Sequence, residues 1–197
     1  MGAPDIFFLR FQEDAPWSDP CFMSLGRLLA LSQRVESHCR SLALYLNVRL
    51  AAPSPLESEA ALDAFCEDVW KQTFYSHIAY LSGLYVSESD VNESELYKML
   101  TKKLYEILDE ARIARNEVAH EVALGFEHWA HDESLMSKES TRIRELATAL
   151  ARADHLLCIL ESVLSKEEEP TSSDETYRTY TERLVTWVCN TDNGDPW

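Results

Sequence analysis

Little interrupts this chain. Among 197 residues there are five glycines and seven prolines, so long helices are permitted over most of its length. Apolar runs are short and broken by charge, and none is long enough to span a bilayer. No basic region precedes an apolar stretch in MGAPDIFFLRFQED, so no signal peptide is read there. Gly2 is followed by Ile6 where a myristoylation motif requires Ser or Thr. The five cysteines (Cys21, Cys39, Cys66, Cys158, Cys189) are odd in number, and none forms a CxxC pair. Cys39, Cys66 and Cys158 sit inside apolar helical patterns, where cysteine acts as a small hydrophobe. That usage fits a reducing compartment, and a cytoplasmic location is expected. No glycine-rich phosphate loop, Ser/His/Asp order or paired-carboxylate motif stands out.

Positive charge is also scarce. Eighteen Lys and Arg face 34 Asp and Glu, for a formal charge of −16. A general nucleic-acid binder would carry a basic face, so this balance argues against one; a small basic site on an acidic body is still compatible with it. Nine of the 18 basic residues fall between Lys98 and Arg152, and the segment from Lys166 onward holds eight acids against three bases.

What is present has the period of a helix. Phe22, Leu25, Leu28, Leu29, Val35, Cys39, Leu42 and Leu46 predict a first helix over about 20–50, opened by Asp19-Pro20 and stopped by the prolines of AAPSPLESE. A second is expected over about 56–82, with Leu62, Phe65, Cys66, Val69, Thr73 and Tyr80 along one side. A third follows the polar SESDVNESE and runs from about Glu93 to Trp129. AHDESLMSKES reads as a connector, and a fourth helix is expected over about 138–165. SKEEEPTSSDE has linker composition, and YRTYTERLVTW fits a short helix at 176–189 better than a strand. The expected fold is all-α, an antiparallel bundle of four to five helices. Its parts are a lead-in at 1–19, the bundle at 20–165, and an acidic C-terminal tail at 166–197.

The third helix carries the anomaly. At 100° per residue, Leu104, Ile107, Leu108, Ala111, Ala114, Val118 and Val122 gather on one side. Arg115 falls inside that apolar stripe. A guanidinium there must reach a partner, a bundle end or a wet cleft, because an unpaired buried charge is very costly. His120 falls on nearly the opposite side, with Ile113, Glu117 and Leu124. On a straight helix Arg115 and His120 of one chain cannot easily meet. Either a break in the helix separates them or two chains share the site, and the second apolar side makes a dimer plausible. Glu36 and Arg40, four apart, read as an ordinary ion pair with a secondary option beside that cleft. His128 and His131 in FEHWAHDE read as helix-end residues. They match no zinc template, so no metal ligand and no cofactor is assigned.

The letters Arg115-Asn116-Glu117-Val118-Ala119-His120, RNEVAH, resemble the signature of the HEPN superfamily, the higher eukaryotes and prokaryotes nucleotide-binding domains. That signature is Arg, four to six residues and His, with a polar residue such as Asn after the Arg. The resemblance covers about residues 20–165, and its sharp part is six residues long. It implies a small helical bundle and metal-independent RNA cleavage by a homodimer whose two motifs share one cleft, in toxin–antitoxin or phage-defence systems. It also implies an antitoxin or regulatory protein as partner. Under it, Arg115, Asn116 and His120 are catalytic. His120 moves a proton, Arg115 holds the phosphorane oxygens, and Asn116 orients the histidine or the phosphate. Arg112 binds phosphate, and Glu36 and Glu117 stand behind the site. One branch of the family continues His-x-Tyr; here that position is Val122, so regulation through that tyrosine is not implied. Members that have lost the motif are scaffolds, so the competing expectation is a silent helical module binding a nucleotide or a protein.

Overall fold

The computed structural model describes residues 18–51, 64, 66–68, 71–87, 95–122, 133–165 and 174–190. Every regular element among these residues is helical, and the fold is all-α. Helix α1 is Ser18–Ala51, α2 is Phe74–Ser87, and α3 is Glu95–Glu117, continued by a π-helical turn at Val118–Val122. Helix α4 is Glu133–Ser165 and α5 is Asp174–Cys189. No helix among the described residues is long and apolar enough to cross a membrane.

The helices form one bundle around a shared core. α4 packs against α1, α3 and α5, and α2 packs against α3 and α1. From α1 the core takes Leu28, Leu31, Val35, Cys39 and Leu42, at spacings of three and four; from α4 it takes Ile143, Leu146, Leu150, Ala153 and Leu157. Each large side chain removed from water contributes about 1.5–3 kcal/mol. Phe22, counted on the α1 stripe, is 43% exposed and lies outside the core. Burial pushes the Cys39 thiol up to about 12, which makes it an inert packing residue.

Two boundaries differ from expectation. The helix predicted over 56–82 is broken at Gln72 and Thr73, and α2 starts afresh at Phe74. Thr73 is exposed, not part of a buried stripe, and caps α2: its Oγ1 accepts the Ser76 N–H at 3.2 Å. A threonine satisfies a stripe and a cap equally well in sequence, and the orphan N–H groups of a helix start decided between them. The connector expected at 130–140 is helical from Glu133. Its segment ESLMSKES is polar but holds no Gly or Pro, and polarity alone does not end a helix. The stretch holding Leu124, His128 and His131 lies outside the described residues.

The C-terminal helix belongs to the bundle. Leu184, Val185 and Val188 of α5 are buried in the common core. Arg27 of α1 donates from Nη1 to the Trp187 carbonyl at 2.8 Å and to that of Asn190, and stands 5.7 Å over the Trp187 ring. These carbonyls end α5 and have no partner within it, so a cation from α1 closes the helix.

Candidate functional site

α1 carries a polar ladder, Arg34, Glu36, His38 and Arg40, at every second position. Two residues turn a helix through about 200°, so alternate members lie on opposite flanks, with Val35 and Cys39 buried between them. Glu36 and Arg40 face α3; Arg34 and His38 face α4.

On the α3 flank, the stripe of α3 is buried as its spacing requires: Leu104, Leu108, Ala111, Ala114, Val118 and Val122 all belong to the core. Arg115 lies within the stripe and meets the requirement for a partner. Its Nε donates to Glu36 Oε2 at 2.7 Å, and its Nη1 donates to Asn116 Oδ1 at 3.2 Å. The other Glu36 oxygen accepts from Arg40 Nη2 at 3.1 Å. One carboxylate thus bridges two guanidinium groups. Arg115 retains about a third of its side-chain exposure, and its Nη2 donates to no described residue.

His77 of α2 completes this region. It is fully buried, and neither ring nitrogen has a hydrogen bond of normal geometry among the described residues. Burial, reinforced by the Arg40 charge, lowers its pKa and keeps it neutral, against a smaller opposing effect of the Gln72 carbonyl and Glu36.

The π turn, Val118–Val122, begins three residues after Arg115 and contains His120. Its bonding pattern places positions five apart nearly above one another, so it reduces the angular offset that a regular helix would impose on that pair. Val118 and Val122 remain buried while His120 stays exposed, without a hydrogen bond or ion pair among the described residues. The structure therefore joins Arg115, Asn116 and Glu36, and leaves His120 exposed, with no hydrogen bond to them. Asn116 is held by Arg115 and not by His120. Arg112 is engaged locally, with Nε on Asp109 at 2.7 Å and its guanidinium 5.7 Å from the Tyr75 ring. Glu117 turns to α4, where Arg142 binds it at 2.5 Å and Glu121 at 2.6 Å. It braces the π turn and is not behind Arg115.

The α4 flank holds a group that the sequence pattern did not reveal. Asp154 is a fully buried carboxylate. Arg34 Nε lies 3.0 Å from both of its oxygens, Tyr180 of α5 donates to Oδ2 at 2.6 Å, and His38 Nδ1 stands 3.6 Å from Oδ1. The outer His38 nitrogen, Nε2, is 3.2 Å from Glu161 Oε2. Burial alone would raise the Asp154 pKa; the contacts from His38, Tyr180 and Arg34 outweigh it and hold the carboxyl below its ordinary range. The contact with Asp154 in turn raises His38, against the opposing effect of burial. The available signal was the one that exposed Arg115: Asp154 is a charged residue on a stripe shared with Leu150 and Leu157.

These features define an all-α bundle with one arginine-rich and one carboxylate-rich polar cluster. Compared with protein-family models, curated proteins and solved structures, the chain matches none of them.

Proposed function

We propose that the chain is a metal-independent endoribonuclease of the HEPN type, acting as a homodimer in a toxin or phage-defence role. The observation that carries this reading is the π turn that starts at Val118 and contains His120. π turns inside α-helices recur at functional sites, and this one falls on the histidine of the RNEVAH motif. Glu36 and Asn116 hold Arg115 in place while its Nη2 remains available to a phosphate oxygen. His120 is accessible to a substrate proton. In the reaction, the RNA 2′-oxygen bonds to the adjacent phosphorus and the bond to the 5′-oxygen breaks. His120 moves the proton, and Arg115 neutralises the equatorial oxygens. Arg112 and the exposed Tyr75 beside it offer a cation and an aromatic face to a flanking nucleotide. Ile113, 52% exposed, shares the His120 side of α3 and suits an apolar contact between two protomers whose motifs meet across it.

The test is RNA cleavage in EDTA by wild type, Arg115→Ala and His120→Ala. Loss of a positioned proton carrier costs about 10²–10⁴-fold, and both variants should fall by at least the lower figure. Cleavage that survives both substitutions, or a folded dimer inert toward several RNAs, refutes the reading.

A second reading is favoured by the absence of a hydrogen bond between Arg115 and His120 and by the ion pair that already engages Arg115 with Glu36. It is a silent module of the same architecture that uses the Arg40–Glu36–Arg115 cluster to bind a nucleotide or a protein. Phosphate-dependent nucleotide binding that is lost in Arg115→Ala but untouched in His120→Ala, with no cleavage, would select it.

A further inference from the structure

We propose that His38, Asp154 and Cys158 form a binding site for a single transition-metal ion of the Zn2+ class. The three donor atoms come from two helices and lie within 4.8 Å of one another. Asp154 and Cys158 are four apart on α4, so they stand one above the other on the flank that faces His38 of α1.

The argument begins with proton positions. His38 has a carboxylate at each ring nitrogen: Glu161 Oε2 at 3.2 Å from Nε2, and Asp154 Oδ1 at 3.6 Å from Nδ1. In neutral imidazole only one nitrogen carries hydrogen. When it sits on Nε2, donating to Glu161, the Nδ1 lone pair faces the Asp154 oxygen, acceptor against acceptor. A cation between them removes that repulsion. A metal-bound histidine commonly donates its other N–H to a carboxylate, and Glu161 occupies that position.

Asp154 is arranged in the same sense. Tyr180 donates to Oδ2 at 2.6 Å, and Arg34 spans both oxygens from Nε at 3.0 Å. These contacts orient the carboxylate with Oδ1 toward His38, as hydrogen bonds to a metal-bound carboxylate do. Cys158 supplies the soft donor, and its Sγ is 3.9 Å from the Tyr180 hydroxyl.

The donor set selects the ion. Calcium and magnesium take oxygen ligands, whereas a thiol, an imidazole and a carboxylate together suit Zn2+ and its neighbours. With bonds of about 2.0–2.3 Å at tetrahedral angles, bound donors stand about 3.3–3.8 Å apart, so the widest separation must contract by about 1 Å as the ion draws the side chains in. Binding breaks the Cys158 S–H bond, forms a metal–thiolate bond and releases the proton to solvent. The site is on the flank of α1 opposite Arg115, and the proposed RNA chemistry does not use it.

Co2+ titration of the full-length protein tests the site, since a thiolate–Co2+ bond gives a near-ultraviolet charge-transfer band. One equivalent should produce the band, and Zn2+ should abolish it. Cys158→Ser should remove the band while circular dichroism shows the helices intact. His38→Ala should weaken Zn2+ binding by about 100-fold, and Glu161→Gln, which alters only the outer contact, by about 10-fold. A band that persists in Cys158→Ser would place the metal at another cysteine and overturn the proposal. So would a folded wild-type protein that gives no band. In that case the cation between His38 and Asp154 is a proton.

Discussion

The two flanks of α1 hold polar groups of opposite bias. Toward α3, two arginines share one glutamate, and Arg115 Nη2 donates to no described residue. Toward α4, a buried aspartate, a histidine and a cysteine converge beside a second carboxylate, with one arginine and one tyrosine in support. The first flank suits an anion and the second a cation. The same helix serves both because residues two apart point in nearly opposite directions, and the core residues Val35 and Cys39 separate the two sides.

The sharpest way to break this contrast is to remove the buried carboxylate. Asp154→Ala leaves Arg34 and His38 facing a void. Losing one partner of a buried charge cluster costs about 3–5 kcal/mol, so urea unfolding should show a loss of that order. Glu36→Gln acts on the half-buried cluster, where solvent screens the two arginines it leaves. The expected loss is about 1–2 kcal/mol, and a change as large as that for Asp154→Ala would erase the distinction between the flanks. Tyr180→Phe deletes one hydroxyl donor to Asp154 and should cost about 1–2 kcal/mol in the same measurement.

Acid separates the histidines by sign. His77 has a folded pKa below its ordinary 6.5, so the unfolded chain takes up its proton first. Its contribution to stability is complete above pH 6.5 and is lost as pH falls from there through the folded value. His38 is raised, so its contribution is present below 6.5 and is lost as pH rises through its folded value. Stability measured between pH 7.5 and 5 should therefore fall less steeply in His77→Leu than in wild type. It should fall more steeply in His38→Ala. Equal slopes in both variants would show that neither histidine responds to its surroundings as described. The smallest effect is expected for Lys102→Ala, which breaks an exposed pair with Glu106 at 3.8 Å and should shift stability by no more than about 0.5 kcal/mol.

The α3 flank was largely legible before folding. Arg115 stood out because an apolar stripe surrounded it, and its need for a partner followed from the cost of a buried charge. Glu36 was marked only as a secondary option, and Arg40 only as its helical neighbour; that Glu36 joins both arginines required α1 and α3 to pack. His77 and Asp154 carried weaker signals. Each is a polar residue within an apolar pattern, but its partners come from distant segments, 120 positions away for Arg34 and Asp154.

The sequence by itself determined that the described residues are helical, which faces of α1, α3 and α4 are buried, and that Arg115 could not stand alone. The 3.6-residue period and the cost of burying charge are local rules, readable from spacing. Only the tertiary structure decided that Thr73 is a cap, that α5 joins the core, that a π turn holds His120, and that the ladder on α1 faces different partners on its two flanks. Those outcomes depend on which helix lies against which, and the energy that selects the packing is summed over the whole core.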